Sequence, residues 1–332
     1  MNISVVIPVR NEENSIGALL DALLSQSLPP GEIVITDGGS TDATTSIIQD
    51  YINRGVPVRL IRTTHALPGR GRNLAIEHSA SEWLAFTDAG IHPGQNWLES
   101  LSEPALKDAA VDVVYGSYEP ITNSFFKECA AITYISPPAL KDGALVRPRS
   151  IASALMRRNV CEAVGGFPEH LRSAEDLLFM NKVEEAQFHI AYAPRALVRW
   201  DLQPNFWRTF RRFAVYARNN IRAGLWSQWQ GPIFSRYLVI ILLALPALLF
   251  GRRWLLVPLG LWLLLLLARA AVAIWRNRHC YPASPLRNLL RLTVIVPLIA
   301  VLDLGAIVGS IQWLVSDKLL PESSAAKLEH GS

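Results

Sequence analysis

Ile3-Ser4-Val5-Val6-Ile7-Pro8-Val9-Arg10-Asn11-Glu12-Glu13 is a β-branched run that stops abruptly at a polar cluster. Glu32-Ile33-Val34-Ile35-Thr36-Asp37-Gly38-Gly39-Ser40-Thr41-Asp42 repeats the pattern. Between them Ile16, Leu19, Leu20, Leu23 and Leu24 fall on one side of a helix, and Pro29-Pro30-Gly31 ends it. Residues 3–9 and 32–36 therefore read as buried strands. Helical spacing resumes at Ile47, Ile48 and Tyr51. Residues 56–61 read as a third strand, 72–78 as a helix, and 83–87 as a fourth strand ending at Asp88. Strands alternating with helices predict βαβ units in an α/β, doubly wound, mostly parallel sheet. Ligands of such sheets sit beyond the carboxyl ends of the strands, where residues 10–13, 37–40 and Asp88 all fall.

The average composition conceals a division. The 332 residues carry a formal charge of +4, yet residues 202–302 contain no Asp, Glu or Lys and 13 Arg, and 24 of the 28 acidic residues precede them. Eight of the ten Trp lie at or after Trp200. A uniform soluble enzyme, a disordered chain and a disulfide scaffold are excluded, and a soluble half joined to an arginine-flanked membrane half is expected. Cys129, Cys161 and Cys280 have no paired spacing, which fits ordinary reduced thiols rather than a disulfide framework or zinc cluster. The first strand meets charge too soon for a secretory signal, so the first half is expected in the cytoplasm.

No G-x-G-x-x-G follows the first strand and no G-x-x-x-x-G-K-[ST] occurs, which sets aside dinucleotide and P-loop folds. Acidic residues at strand ends suit another task. One carboxylate can accept from a base or ribose, and another can hold a divalent cation against a diphosphate. Arg70 and Arg72 could face phosphate directly; the alternative for the pair is a solvated basic loop.

Six segments together resemble the family 2 glycosyltransferases with a GT-A fold. They are residues 6–13, 33–42, Arg70-Gly71-Arg72-Asn73, Phe86-Thr87-Asp88-Ala89-Gly90, Gly165-Gly166-Phe167-Pro168-Glu169 and Ser173-Ala174-Glu175-Asp176. The resemblance covers roughly residues 1–200. It implies that Pro8, Arg10, Glu12 and Gly39 line the donor site with Asp37 on the base, and that Asp88 is the first carboxylate of a D-x-D metal motif. It also implies that Asp176, paired with Glu175, is the catalytic base. The last D-x-D position is Gly90, so one carboxylate remains for Mn or Mg, with His92 two residues beyond. A Q-x-x-R-W motif of processive synthases is absent, which points to transfer of a single sugar. Glu175 beside Asp176 is expected to raise the pKa of the base by like-charge proximity. An acidic surface step or a helix N-terminal position is the structural alternative for this pair.

Residues 206–222 form a sharply amphipathic pattern, with Phe206, Trp207, Phe210, Phe213, Ala214, Ala217 and Ile221 in one arc. Arg208, Arg211, Arg212, Arg218 and Arg222 lie opposite, as for a helix in the headgroup region that binds lipid or presents an acceptor. Three apolar segments follow at 233–250, 254–275 and 289–315. Arg269 is expected to snorkel towards Arg276, and Asp303 is the lone acid within a span. The connection carrying Arg276, Arg278, Arg287 and Arg291 outweighs the one carrying Arg252 and Arg253, so it is assigned to the cytoplasm and the C-terminus outside.

The domains expected are a catalytic domain over 1–205, an interfacial region over 206–230, about three membrane helices over 231–316, and a tail over 317–332. Residues 325–332 read as an added tail. The expected activity is transfer of one sugar, with inversion, from a nucleotide-diphosphate donor, a UDP-sugar, to a lipid or membrane-associated hydroxyl. Nucleic acid is not an expected partner. The alternatives are a polyprenyl-phosphate glycosyltransferase and a non-catalytic membrane scaffold, the latter prompted by Gly90.

Overall fold

The computed structural model describes residues 1–141 and 144–319, and the tail expected at 325–332 lies outside them. The chain divides into two compact units, Met1–Ile121 with Pro138–Asp201, and Thr122–Pro137 with Leu202 onwards.

The first unit begins β1 (Ile3–Val9), α1 (Ile16–Leu24), β2 (Glu32–Asp37), α2 (Thr44–Asn53), β3 (Val58–Arg62), α3 (Pro68–Glu77) and β4 (Trp83–Phe86). It continues through β5 (Ile91–Pro93), α4 (Trp97–Lys107) and β6 (Val113–Ile121). After α5 (Phe125–Tyr134), which belongs to the second unit, come β7 (Ala139–Lys141), β8 (Ala144–Val146) and β9 (Ala154–Arg157). The unit closes with α6 (Arg158–Ala163), α7 (Glu175–Glu185) and β10 (Ile190–Asp201). Eight strands form one sheet in the order β3-β2-β1-β4-β9-β6-β10-β5. β3, β2, β1 and β4 are parallel, as the βαβ alternation predicts. Beyond β4 the sheet is mixed: β9 runs antiparallel to both β4 and β6, β6 and β10 are parallel, and β5 is antiparallel to β10. β1 is paired on both edges, and six of its seven residues are buried, which is why it reads as a continuous apolar run. Val6, Val34, Phe86, Tyr115, Phe167 and Phe179 share one core cluster. The helix expected at 72–78 starts earlier, at Pro68. Proline at the first helical position has its φ pre-set and loses no hydrogen bond there. Arg70 and Arg72 therefore stand on a helix and not on a basic loop.

The second unit is helical. Besides α5 it contains α8 (Phe206–Arg222), α9 (Trp226–Trp229), α10 (Gly231–Ala244), α11 (Ala247–Phe250), α12 (Leu256–Arg276) and α13 (Pro285–Trp313). Two helical stretches are long and apolar enough to cross a membrane, Arg252–Arg276 and Pro285–Leu319. The segment expected to span at 233–250 does not form one helix: α10 stops at Ala244, before Pro246, and α11 is a single turn. At 1.5 Å per residue the 14 residues of α10 fall short of a ~30 Å hydrocarbon layer.

Helix α5 joins this unit through long-range contacts. Cys129 and Ile132 pack with Leu266, Ala270, Ile295 and Ile299. Glu128 accepts from both Arg287 and Arg291, and Asn277 Nδ2 donates to the Ile132 carbonyl at 3.2 Å. The two arginines hold the Glu128 carboxyl below its usual range, against the opposing effect of burial.

The amphipathic helix forms as expected, but part of its apolar arc meets protein. Ala214 and Ala217 are buried where α8 crosses Gly305 and Gly309 of α13. A Cβ on Gly309 would lie 2.2 Å from the Ala214 carbonyl oxygen and 2.9 Å from the Ala217 Cβ. Close backbone approach of this kind needs small residues on both helices. Gly309→Leu should force α8 and α13 apart and cost about 1–3 kcal/mol, read as a lower melting temperature of the full chain, with no such fall for Gly260→Leu, where nothing lies within 4 Å.

The charged arc also divides. Arg208, Arg211 and Arg212 are exposed, with Arg212 Nε donating to Tyr216 Oη at 2.6 Å. Arg218 and Arg222 are instead paired with Asp317. Arg218 is thus engaged within the protein, contrary to its expected availability to lipid. Arg269 does not snorkel to Arg276: its guanidinium binds both oxygens of Asp303, one at 3.0 Å, and Tyr237 Oη donates to the same carboxylate at 3.2 Å.

Candidate active site

The loops after β1 and β2 are laced together by short-range chemistry. Asp37 is buried, and its carboxylate accepts from the Gly39 and Ser40 amides at 3.1 Å. Gly39 needs its φ of +89°, and a Cβ on Gly38 would lie 2.5 Å from the Ala66 carbonyl oxygen. Asn11, at φ 56°, accepts from the Thr41 amide at 2.8 Å and donates its own amide to Ser40 Oγ at 2.8 Å. The Glu12 amide donates to Thr44 Oγ1 at 2.7 Å, and its carboxylate accepts from Ser15 Oγ. Pro8 sits opposite Thr36 in the parallel ladder and against Gly71. Arg10 is partly exposed and has no ion-pair partner among the described residues. The resemblance puts Asp37, Glu12, Pro8, Arg10 and Gly39 around one nucleotide; in the structure they stand at the ends of β1 and β2 and in the loops that follow. Asp37 and Glu12 also have local work, shaping those loops.

Arg72 is the hub of the site. It is 3% exposed, and its Nη1 donates to Glu175 Oε1 at 2.7 Å while Nη2 donates to Asp88 Oδ1 at 2.6 Å. Its guanidinium also lies 5.3 Å from the centre of the Phe167 ring. The expectation that Arg72 faces phosphate directly is corrected by this bridge: both terminal nitrogens serve carboxylates. Arg70, two residues earlier, is exposed and has no ion-pair partner among the described residues. Burial opposes the charge on Arg72, but Asp88, Glu175 and Asp176 together hold it more firmly protonated than an arginine in water.

Asn73, a motif residue with no role of its own in the sequence, is a clamp. Its Nδ2 donates to the Phe167 carbonyl at 2.9 Å, and its Oδ1 accepts from the Phe167 amide at 2.9 Å. Nδ2 also reaches Glu169 Oε1 at 2.9 Å. A Cβ on Gly69 would lie 2.1 Å from the Pro168 carbonyl oxygen. Helix α3 is thereby fixed to the 165–169 segment, and Phe167 stacks on Phe179 of α7 at 3.8 Å between ring centres. That chain of contacts sets where α7 begins.

Ala174, in the left-handed region at φ 69°, turns the chain into α7, whose first turn carries Glu175 and Asp176. Glu175 is buried and leaves Oε2 without a partner. Burial pushes its carboxyl above the usual range against the pull of Arg72, and the charge on Asp176 adds to the rise. The Asp176 carboxyl is largely shielded but retains some exposure, and Oδ1 accepts from the Leu177 amide at 2.8 Å. Burial raises it too, Arg72 opposes, and Asp88 is the like charge that raises it further. Sequence proximity assigned that last role to Glu175. Glu175 is turned to Arg72, yet its charge and that of Asp176 still oppose each other, and Asp88 across the site adds to that repulsion.

For a divalent cation, the described residues contain no group of three or more His, Cys, Asp or Glu placed to hold one. Asp88 has one oxygen bonded to Arg72 and a partly exposed side chain, Gly90 adds no ligand, and His92 is exposed on β5. These residues fit a cation held by a single carboxylate together with diphosphate oxygens and water. Arg208, Arg211, Arg212 and Arg218 belong to the helical unit and are not part of this cluster.

The Glycosyl transferase family 2 model matches residues 4–165, which include all of β1 but Ile3, and Asp37, Arg72 and Asp88. Glycosyltransferase AglE of Haloferax volcanii is 31% identical over 198 residues, covering 58% of this chain and 64% of its own length. O-antigen chain rhamnosyltransferase RfbN of Salmonella typhimurium is 27% identical over 210 residues, covering 60% of this chain and 66% of its own. The alignment thus spans about two thirds or less of these relatives. Among solved structures, mannosyltransferase PcManGT from Pyrobaculum calidifontis, in complex with GDP-Man and Mn2+, is similar with a TM-score of 0.54 and 20% identity. That likeness covers 96% of this chain and 88% of PcManGT and bears on the fold, which is of the GT-A type.

Proposed function

The chain carries a family 2 glycosyltransferase domain, and from that premise we propose that it moves one sugar from a UDP-sugar to a hydroxyl of a lipid or membrane-associated acceptor, by a single inverting displacement. The observation that carries the reading is the Arg72 bridge between Asp88 and Glu175, with Asp176 beside it at the head of α7. The acceptor oxygen forms the new bond to the anomeric carbon and its proton passes to Asp176. The bond from that carbon to the diphosphate oxygen breaks, and its electron pair leaves with the nucleoside diphosphate. A carboxyl raised above its usual range is suited to this proton transfer. Glu175 and Arg72 hold the cluster in register, while Pro8, Arg10, Glu12, Asp37 and Gly39 line the nucleotide side and Arg70 faces the phosphates. Asp88 and the diphosphate oxygens would hold Mn or Mg, which supplies charge neutralisation to the leaving group.

The membrane part of the reading rests on the helical unit. Only 17% of the apolar window in Arg252–Arg276 is buried, so that helix is not the core of a soluble fold. Leu249, Phe250, Leu256 and Leu264 are all more than 60% exposed. Arg276, Arg278, Arg287 and Arg291, in and beside the connection from α12 to α13, support a cytoplasmic side for it. Arg208, Arg211 and Arg212 remain exposed for anionic lipid, while Arg218 is held by Asp317. Purified full chain in native-lipid nanodiscs, given labelled UDP-sugar and manganese, should place label in the lipid extract. Donor that stays intact under these conditions would assign the chain to a scaffold role.

A further inference from the structure

The helical unit contains a cavity of about 440 Å³, lined by the 132–137 segment and by α12 and α13. Tyr134, Ser136, Arg269, Arg276, Asn277 and Leu302 are among its walls. Arg269 and Arg276 are seven residues apart on α12, hence two turns along one face and about 10 Å from each other along the axis. Arg269 is already bonded to Asp303, whose side chain is 2% exposed. Arg276 has no ion-pair partner among the described residues, and Arg236 of α10, within electrostatic range of Arg269 and Asp303, has a buried Nε with no partner. Arg269 and Arg236 therefore share one acid, and the exposed Arg276 has none among the described residues. The other acids of the unit among the described residues are engaged: Asp317 by Arg218 and Arg222, Glu128 by Arg287 and Arg291. Cationic excess in an apolar helical setting is unfavourable unless an anion completes it.

We infer that this cavity binds a phosphate group, carried by a lipid, with Arg276 as its principal ligand and Arg269 as the second. Guanidinium groups match phosphate oxygens in pairs, and Asn277 and Ser136 add polar wall. Val272, Ile299 and Leu302 give the same cavity an apolar side that suits the first part of an alkyl chain. The size matches a headgroup and not a whole lipid. The inference depends on reading α12 and α13 as membrane helices and not on the catalytic assignment, because its test is binding.

Full chain in an uncharged detergent would be titrated calorimetrically with dihexanoyl phosphatidic acid and, separately, with inorganic phosphate. Saturable binding of both at equal affinity would keep the phosphate site and assign it to free phosphate; phosphatidic acid tighter by about tenfold or more would assign it to lipid. Arg276→Gln should weaken phosphatidic acid binding by about tenfold, and Arg276→Lys, which keeps the charge, should recover most of the loss. Absence of saturable binding by the unaltered chain, or unaltered affinity in Arg276→Gln, would overturn the inference.

Discussion

Replacing Asp176 by asparagine is expected to slow sugar transfer by about 10²–10⁴-fold with little change in affinity for the nucleotide. The substitution keeps the shape of the side chain and the acceptor for the Leu177 amide, so that local contact in the first turn of α7 is retained. What it removes is the site for the acceptor proton. The effect belongs in kcat and not in donor binding, since the base acts only when the hydroxyl attacks. The same group sets the pH response. Asp176 must be ionised to accept the proton, and burial together with Asp88 raises its carboxyl while Arg72 limits the rise. The rate should therefore fall as pH drops through the raised value, with the acidic limb above the ordinary aspartate value of 3.8. Asp176→Asn should lose that limb from its residual rate. A variant turning over at the normal rate, or an acidic limb unchanged by the substitution, would refute the assignment of the base.

The second large effect is on stability. Arg72→Met should cost about 3–5 kcal/mol, because it leaves the carboxyl of Glu175 buried with no partner on either oxygen. Asp88 keeps a partly exposed side chain and suffers less. For a catalytic unit of this size the loss corresponds to a fall in melting temperature of roughly 10 °C. Arg72→Lys should recover little, since one ammonium cannot bridge two carboxylates held by separate guanidinium nitrogens. The double variant Arg72→Met with Glu175→Gln should be less destabilised than Arg72→Met alone, because a neutral amide is cheaper to bury unpaired than a carboxylate. Additive losses would show that the two side chains are not coupled.

Some of this was open to reading in the residues themselves, and the reason differs by element. β1 and β2 are apolar because they are covered on both faces, and both stop where polar residues must meet a ligand, so their ends are local facts. The arc of α8 is likewise a local periodicity. The membership of α5 was not legible, because Glu128 finds its arginines 159 and 163 residues away. The strand β9 runs against β4 and β6 in a direction that no local pattern encodes. The first of the three expected spans, 233–250, is interrupted at Pro246, which separates α10 from α11.

At the site, motif order was enough to bring Asp88, Glu175 and Asp176 together. It could not say which way each pointed. Arg72 looked available to phosphate because its neighbours, Gly71 and Arg70, suggest a loop, yet Pro68 starts a helix there and turns Arg72 inward. The role of Asn73 depends on two backbone groups of Phe167, 94 residues away. Its only local signal is its place directly after Arg72. The like charge that Asp88 adds at Asp176 comes from across the site, 88 residues away in sequence, and has no local signal.

The central claim is a direct displacement by an acceptor hydroxyl, with Asp176 taking its proton. The most direct measurement is the chemical nature of the product formed from an α-linked, labelled UDP-sugar by the full chain in its own membranes. The expected product is a lipid glycoside that survives mild acid and carries the inverted, β anomeric configuration. A sugar released by mild acid, as a lipid phosphosugar is, or a product that keeps the α configuration, would contradict the account.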